Sequence, residues 1–539
     1  MKLTDEGLRS AAPWRQAGIR LPSFDRSAAR LACAQAPVWV HFGAGNLFRG
    51  FIAALQQRLL NQGLQTAGLV AAETFDFDII DRIYAPHDAL ALMATLRSSG
   101  ETDLEVIASI ARGLKASRDF AQDWQALYAA FESQSLQLAS FTITEKGYAL
   151  RDLNGGWLPA AESDVRQGPE GTRHAMGIVA SLLLKRFEAG ARPIALLSLD
   201  NCSRNGEKLR QGVLTLARAW RQSGFVSGAF VDYLEDETRV SFPWSMIDKI
   251  TPRPSEAVHG RLEALGVEDT QPVTTARGTY IAPFVNAEAP QYLVVEDRFP
   301  NGRPPLERAG VYMTDRDTVN RSERMKVTTC LNPLHTALAV YGCLLGYPTI
   351  SAEMQDPDLK RLVERIGASE GLPVVVNPGI LQPEAFLREV IDERLPNPFL
   401  PDTPQRIATD TSQKIPIRFG ETLKSYMARP DLDAAGLTAI PLALAGWLRY
   451  LLGIDDQGLP MPVSADPMRE PLEAALAGVR LGDPASARGK LDALLTNDAL
   501  FGVNLAEAGL ARKVEEMFAY MLQGPGAVRA ALRHFLAPS

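Results

Sequence analysis

The chain is short of several residue types, and each shortage narrows what it can be. Its four cysteines, Cys33, Cys202, Cys330 and Cys343, form no CxxC pair. They fit a reduced, cytoplasmic thiol set rather than a disulfide framework. Aromatic residues make up 7%, there is no basic run, and the net charge is −7. A nucleic-acid partner would favour a basic surface with aromatic platforms, so none is expected. No long apolar run is unbroken. The greasiest stretch, 437–454, is interrupted by Pro441 and Arg449, which favours a buried core helix over a membrane span. The first ten residues carry Asp5 and Glu6 and no apolar run, which argues against a secretory leader. Histidines number 6, and only 12 of the 56 basic residues are lysine, leaving 44 arginines. Where lysine is scarce, each one is worth checking for chemistry that arginine cannot do.

What remains is globular: 539 residues, 46% apolar and 22% charged, enough for two or three domains. Residues 1–36 read as a polar N-terminal extension. Val38-Trp39-Val40-His41-Phe42 reads as a buried strand, followed by Gly43-Ala44-Gly45-Asn46, an apolar helical pattern over 48–60 and a second strand over 69–72. That order opens a doubly wound α/β domain. Further strands are expected at 104–110, 141–144, 194–198, 225–231, 280–283 and 292–295, with helices at 176–187 and 208–223. The Pro- and Gly-rich stretch 298–305 marks a boundary. After it the periodicity is helical, at 333–346, 434–453 and 508–522. The expected architecture is a Rossmann-like α/β domain over 37–303 and a mainly α-helical substrate-binding domain over 304–539. A cleft between two such domains is a common ligand site.

Gly43-x-Gly45 sits where a phosphate turn belongs. The first glycine permits the tight turn, and the second lets backbone N–H groups approach a pyrophosphate at a helix N-terminus. Phe48 replaces the usual third glycine. Glu73, after the second strand, is placed to accept both ribose hydroxyls of NAD and to repel a 2′-phosphate, so NAD is the expected cofactor. An ordinary βα turn and a solvated acidic loop would look similar.

The window from Glu323 to His335 is the richest in chemistry. Pro333 suits a first helical position, which makes Asn332 a natural N-cap. His335 follows three residues later on the same face. Lys326 lies just upstream, where a helix dipole and partial burial would disfavour its ammonium form and suit it to general-base work. Asn332 and His335 could donate hydrogen bonds to a developing alkoxide. A capped core helix with a surface lysine would show the same spacing.

Several separated motifs bring in a family resemblance. They are Gly43-x-Gly45-x-x-Phe48-Arg49; Thr142-Ile143-Thr144-Glu145-Lys146-Gly147-Tyr148; Ser198-Leu199-Asp200-Asn201 with Asn205-Gly206; Phe242-Pro243-Trp244-Ser245-Met246-Ile247-Asp248-Lys249-Ile250-Thr251-Pro252; and Asn397-Pro398 with Arg406-Ile407-Ala408-Thr409-Asp410-Thr411-Ser412-Gln413-Lys414. From about residue 37 to the C-terminal region the sequence resembles the polyol-specific long-chain dehydrogenases and reductases. The resemblance implies an NAD-dependent secondary-alcohol dehydrogenase with a lysine base and no metal. It gives Lys326 the base position, with Glu323 as its partner carboxylate. Asn201 and Asn332 take the positions that bind the reacting oxygen, and His335 the position that orients substrate. Asp248, Arg406 and Lys414 match substrate-binding positions, and Glu145 a carboxylate near the proton path. Gly43, Gly45, Asn46, Phe48, Arg49 and Glu73 fall to the cofactor. Four of the 12 lysines, Lys146, Lys249, Lys326 and Lys414, lie inside the recognised motifs.

There is one departure. The family spaces its lysine and asparagine as K-x4-N-x2-H, whereas here five residues separate Lys326 from Asn332. The extra residue belongs after the lysine, and either the chain there bulges or Lys326 enters from a shifted angle. The variant Ala44-Gly45-Asn46-Leu47-Phe48-Arg49-Gly50-Phe51 looks closer to the sugar-acid branch. D-Mannonate and D-fructuronate are therefore the expected pair, with D-mannitol/D-fructose and arabinitol as alternatives. Arg49, Arg324 and Arg406 are candidate partners for a carboxylate. A reading of another class is an NAD-binding sensor without turnover.

Overall fold

Six short apolar segments pair into one parallel sheet: β1 (Trp39–Phe42), β2 (Leu69–Glu73), β3 (Ile110–Lys115), β4 (Leu138–Phe141), β5 (Ile194–Ser198) and β6 (Val240–Ser241). Their order across the sheet is 3-2-1-4-5-6, that of a dinucleotide-binding fold. Alternate residues feed two separate cores. Val40, Phe42, Val70, Ala72, Phe141 and Leu196 pack on one face. Trp39, Leu69, Ala71, Leu138, Ala195 and Leu197 pack on the other. Helices cover both faces, so the strands read as unbroken hydrophobic runs rather than as alternation.

The structure, a computed structural model, describes residues 1–152 and 154–537. It divides into two units, 1–96 with 101–320 and 97–100 with 321–539. The sequence reading began the helical half at 304; residues 304–320 stay with the first unit. So do residues 1–36, which are folded rather than an appendage. The Ile19–Arg20 strand pairs with Thr102–Ile107, and the buried Arg26 guanidinium bonds Asp5 and the carbonyls of Ala108 and Ile110.

Three strand expectations need correction. The 104–110 stretch is two strands of different sheets, Thr102–Ile107 and Ile110–Lys115. The 141–144 strand is β4, which ends at Phe141, and Thr144 turns away at φ +63°. The 225–231 segment holds no strand, because the helix Gly228–Glu235 starts there. The Ser227 hydroxyl accepts from the Phe230 N–H and caps it.

The second unit is helical. Its apolar patterns become Asn332–Leu345, Ala439–Tyr450 and Ala511–Met521. Ala439–Tyr450 is buried along its whole length, and among the described residues no helix is long and apolar enough to cross a membrane. Arg449, which interrupts that apolar stretch, is fully buried and donates to the carbonyls of Ile454 and Asp455 at 2.6 and 3.0 Å.

Candidate active site

In the first unit, β1 delivers the chain into the glycine turn. Gly43 has φ +102°, and a Cβ there would lie 2.2 Å from the Thr142 carbonyl oxygen, so only glycine fits. A Cβ on Gly45 would meet nothing within 4 Å, which leaves its backbone open to a ligand. The helix over 46–61 starts immediately after it, with its first N–H groups free of intrahelical partners. An open glycine before a helix N-terminus suits the pyrophosphate of a dinucleotide.

The other predicted cofactor residues shape this turn from inside. Phe48 is buried and stacks on His41 with centroids 4.2 Å apart. Burial drives the His41 pKa down to about 3, so the ring stays neutral between Ser140 Oγ (2.6 Å) and Thr142 Oγ1 (2.8 Å). Arg49 is buried too, donating to the Ala282 carbonyl at 2.7 Å and to Asn46 Oδ1 at 2.8 Å. Glu73 is a brace. Oε2 accepts the Ala44 N–H at 2.9 Å, and Oε1 accepts the N–H groups of Thr74, Phe75 and Asp76. Burial raises its pKa while these bonds hold it down. The carboxylate expected to meet ribose thus spends both oxygens on the backbone.

The remaining motifs of this unit interlock. Asp200 is buried; its carboxylate accepts the N–H groups of Ile143 and Thr144 at 3.0 and 2.9 Å and the Tyr148 hydroxyl. These bonds hold Thr144 at its positive φ, a costly position for a β-branched residue. Buried Asn205 donates to Ser245 Oγ at 2.9 Å and accepts the Ser245 N–H at 3.1 Å. A Cβ on Gly206 would lie 2.7 Å from the carbonyl oxygens of Phe242 and Pro243. Asp200 thus ties the Ser198 motif to the Thr142 motif, and Asn205-Gly206 tie it to the Phe242 motif. Asn201 follows Asp200 as an exposed residue, and Asp248 is buried at the end of the strand Ser245–Asp248. Glu145 is exposed and pairs with Lys208 beside an open cavity of about 340 Å³. The motifs named Asp200, Tyr148 and Asn205, but their bracing role is tertiary and left no signal in spacing.

In the second unit, the long Lys326–Asn332 spacing is met by a bulge. Lys326–Cys330 forms a π-helical turn, closed by the Leu331 N–H donating to the Lys326 carbonyl at 3.1 Å. Such a turn absorbs one extra residue in a helix. Lys326 is buried, and Glu323 precedes it by about one turn.

Asn332 is not the cap. The helix begins at Asn332 itself, with Leu331 in the cap position, and among the described residues the Asn332 carboxamide has no hydrogen-bond partner. His335 lies 3.5 Å from Asp402 Oδ2 without a hydrogen bond. Burial lowers its pKa to about 4; Asp402 opposes this, while Arg418, Arg406 and Lys414 add to it. Arg406 pairs with Asp402. Lys414 donates to the carbonyls of Ile407, at 2.9 Å, and Thr409. Arg418, one turn beyond Lys414, donates to Thr336 Oγ1 at 2.6 Å and to the Asn332 carbonyl at 3.4 Å. Asn332, His335, Arg406 and Lys414 therefore gather in one polar cluster. Sequence reasoning missed its other two members, Asp402 and Arg418; the four-residue step from Lys414 was the available sign of the second.

A 3-2-1-4-5-6 parallel sheet with an open Gly-x-Gly turn defines a dinucleotide-binding protein, and the helical unit adds a buried lysine and a cationic cluster. Comparison with known proteins makes this specific. Residues 38–308 match the mannitol dehydrogenase Rossmann domain, and residues 318–522 the mannitol dehydrogenase C-terminal domain. The chain belongs to the mannitol dehydrogenase family and is an NAD-dependent oxidoreductase. It is 52% identical to a D-mannonate oxidoreductase of Thermotoga maritima, over 99% of this chain and 98% of that one. It is 26% identical to mannitol 2-dehydrogenase of Pseudomonas fluorescens, solved as a ternary complex with NAD and D-mannitol, with a TM-score of 0.69 and full coverage of both chains. A D-sorbitol dehydrogenase shares the fold, with a TM-score of 0.79 at 24% identity over 96% of this chain and 98% of that one.

Proposed function

We propose that this enzyme interconverts D-mannonate and D-fructuronate. The observation that carries the proposal is the 52% identity, over nearly the whole of both chains, to a D-mannonate oxidoreductase. NAD, when bound at the Gly43–Gly45 turn, supplies the hydride acceptor. Gly43 keeps that turn tight, Gly45 leaves room for the pyrophosphate, and Asn46 opens the helix whose N–H groups face it. Phe48, Arg49 and Glu73 hold the turn in shape.

The protein's own part is proton handling and orientation. In oxidation Lys326 accepts the hydroxyl proton, and Glu323 and Glu145 pass it on. Asn201 and Asn332 donate to the oxygen as it gains alkoxide character; the unpartnered carboxamide of Asn332 supports that role. His335, Asp248, Arg406 and Lys414 fix the substrate's chain. In reduction the Lys326 ammonium returns the proton. The roles so assigned include no metal. Among the described residues no cysteine is in a disulfide, and three of the four are buried, which supports a reducing cytoplasmic setting.

Two measurements test the reading. D-Mannonate should give the highest kcat/KM in a panel with altronate, mannitol and arabinitol. A large margin for mannitol would instead favour the polyol reading, which the D-mannitol complex of the structural relative keeps open. Lys326→Ala should cut turnover by about two to four orders of magnitude with NADH binding retained. Near wild-type turnover would remove Lys326 from its role.

A further inference from the structure

A sugar acid differs from a polyol by one charge, and three arginines stood out in the sequence as possible carboxylate partners. The fold uses all three elsewhere. Arg49 is buried, with Nη1 and Nη2 committed to Ala282 and Asn46. Arg324 pairs with Glu421 at 3.3 Å. Arg406 pairs with Asp402.

Two cations of the second unit remain. Among the described residues, neither Lys414 nor Arg418 has a carboxylate within 4.0 Å. Both are half-buried on the helix Thr411–Arg418, one turn apart. Burying two like charges is unfavourable, and Asp410 and Asp466 offset it only in part at Lys414, so an arriving anion is favoured. Their hydrogen bonds are incomplete in the same way. Lys414 gives two of its three N–H groups to carbonyls. Arg418 bonds only through Nη1, which leaves its Nε–Nη2 edge unused. That edge presents two parallel N–H donors, the fork that matches two carboxylate oxygens. Its position is fixed: Nη1 is anchored on Thr336 and Asn332, in the first five residues of the helix that carries Asn332 and His335. The N-terminus of that 14-residue helix adds further attraction for an anion.

We propose that Arg418, assisted by Lys414, binds the substrate's carboxylate and so determines the preference for a sugar acid over a neutral polyol. The proposal rests on the sugar-acid reading above. It makes Arg418 a specificity-determining residue outside the positions that the motifs assigned.

The test is the ratio of kcat/KM for D-mannonate to that for D-mannitol, measured for wild type, Arg418→Gln, Arg418→Lys and Thr336→Val. Urea unfolding confirms that each variant is folded. Arg418→Gln should lower the ratio by about 10- to 100-fold, since a charge-assisted pair is lost with one substrate only. Arg418→Lys keeps the charge without the fork, so its ratio should fall less; it also serves if the glutamine variant does not fold. Thr336→Val removes one anchor and keeps the fork, and should lower the ratio in the same direction as Arg418→Gln but by less. An Arg418→Gln ratio equal to wild type would overturn the proposal, because Arg418 would then be only a brace. A wild-type ratio below one would sink the sugar-acid reading itself, whatever the variants do.

Discussion

Lys414 carries its charge at a cost, and that cost can be read by pH. Burial pushes its pKa down, and Arg418 and Arg406 add repulsion that Asp410 and Asp466 only partly offset; the ammonium titrates at about 8 instead of 10.5. The folded pKa lies below the unfolded one, so between these values the unfolded chain binds more protons. The penalty is present in full below about pH 8 and is relieved as pH rises towards 10.5, so this group's contribution to stability improves through that window. Substrate binding runs the other way. If Lys414 helps to hold a carboxylate, the KM for D-mannonate should climb as pH passes about 8, while the KM for D-mannitol loses no charge pairing. Initial rates at several concentrations across about pH 7 to 9.5 would settle this. Parallel curves for the two substrates would remove Lys414 from carboxylate binding. His335 contributes no such step, because burial holds it at about 4 and it works as a neutral ring.

At the scale of elements, the π-helical turn over Lys326–Cys330 is the local device on which the site depends. It absorbs the extra residue that lies between Lys326 and Asn332. A π turn leaves carbonyls poorly served by its own N–H groups, and side chains fill in. The Thr422 hydroxyl donates to the Thr328 carbonyl at 3.1 Å, and the Thr328 hydroxyl donates to the Arg324 carbonyl at 2.8 Å. Thr422→Val keeps the shape and removes one of these bonds. It should cost about 1 kcal/mol in denaturant unfolding. It should also lower kcat more than it raises KM, because a loosened turn misplaces Lys326 rather than the substrate's anchors. Unchanged kcat in a destabilised variant would show that the turn is scaffolding only. The bulge was legible as one of two ways to fit the spacing, the other being a shifted approach of Lys326. Strands β1, β2 and β5 were legible because both their faces are buried and so read as continuous apolar runs. The 225–231 segment misled because Phe225, Val226, Phe230 and Val231 suit either element, and a serine cap decided between them. Glu73 shows a related limit: its place after β2 suits ribose, and only the fold reveals that four backbone N–H groups also meet its carboxylate.

For the whole molecule, the two units differ in their tryptophan content, which gives a way to follow one of them. Six of the seven tryptophans, at 14, 39, 124, 157, 220 and 244, lie in the first unit, and only Trp447 lies in the second. Trp39 and Trp220 are fully buried in the sheet's two cores, so their emission follows the opening of those cores. A ligand that binds the folded form alone stabilises what it binds. With NAD⁺ at about a hundred times its Kd the gain is about 2.7 kcal/mol. If the Gly43–Gly45 turn is where NAD binds, that gain falls on the unit that tryptophan reports, and the emission-detected urea midpoint should move up. Putting a Cβ on Gly43 forces it against the Thr142 carbonyl in a backbone conformation that alanine resists. Gly43→Ala should therefore lower the midpoint and also abolish the NAD⁺-induced shift. Gly45→Val should do less harm to the apoprotein, because the first atom added there meets nothing within 4 Å, yet it should weaken the shift by filling the space left for the pyrophosphate. A wild-type midpoint indifferent to NAD⁺, or a full shift surviving in both variants, would place the cofactor somewhere other than this turn.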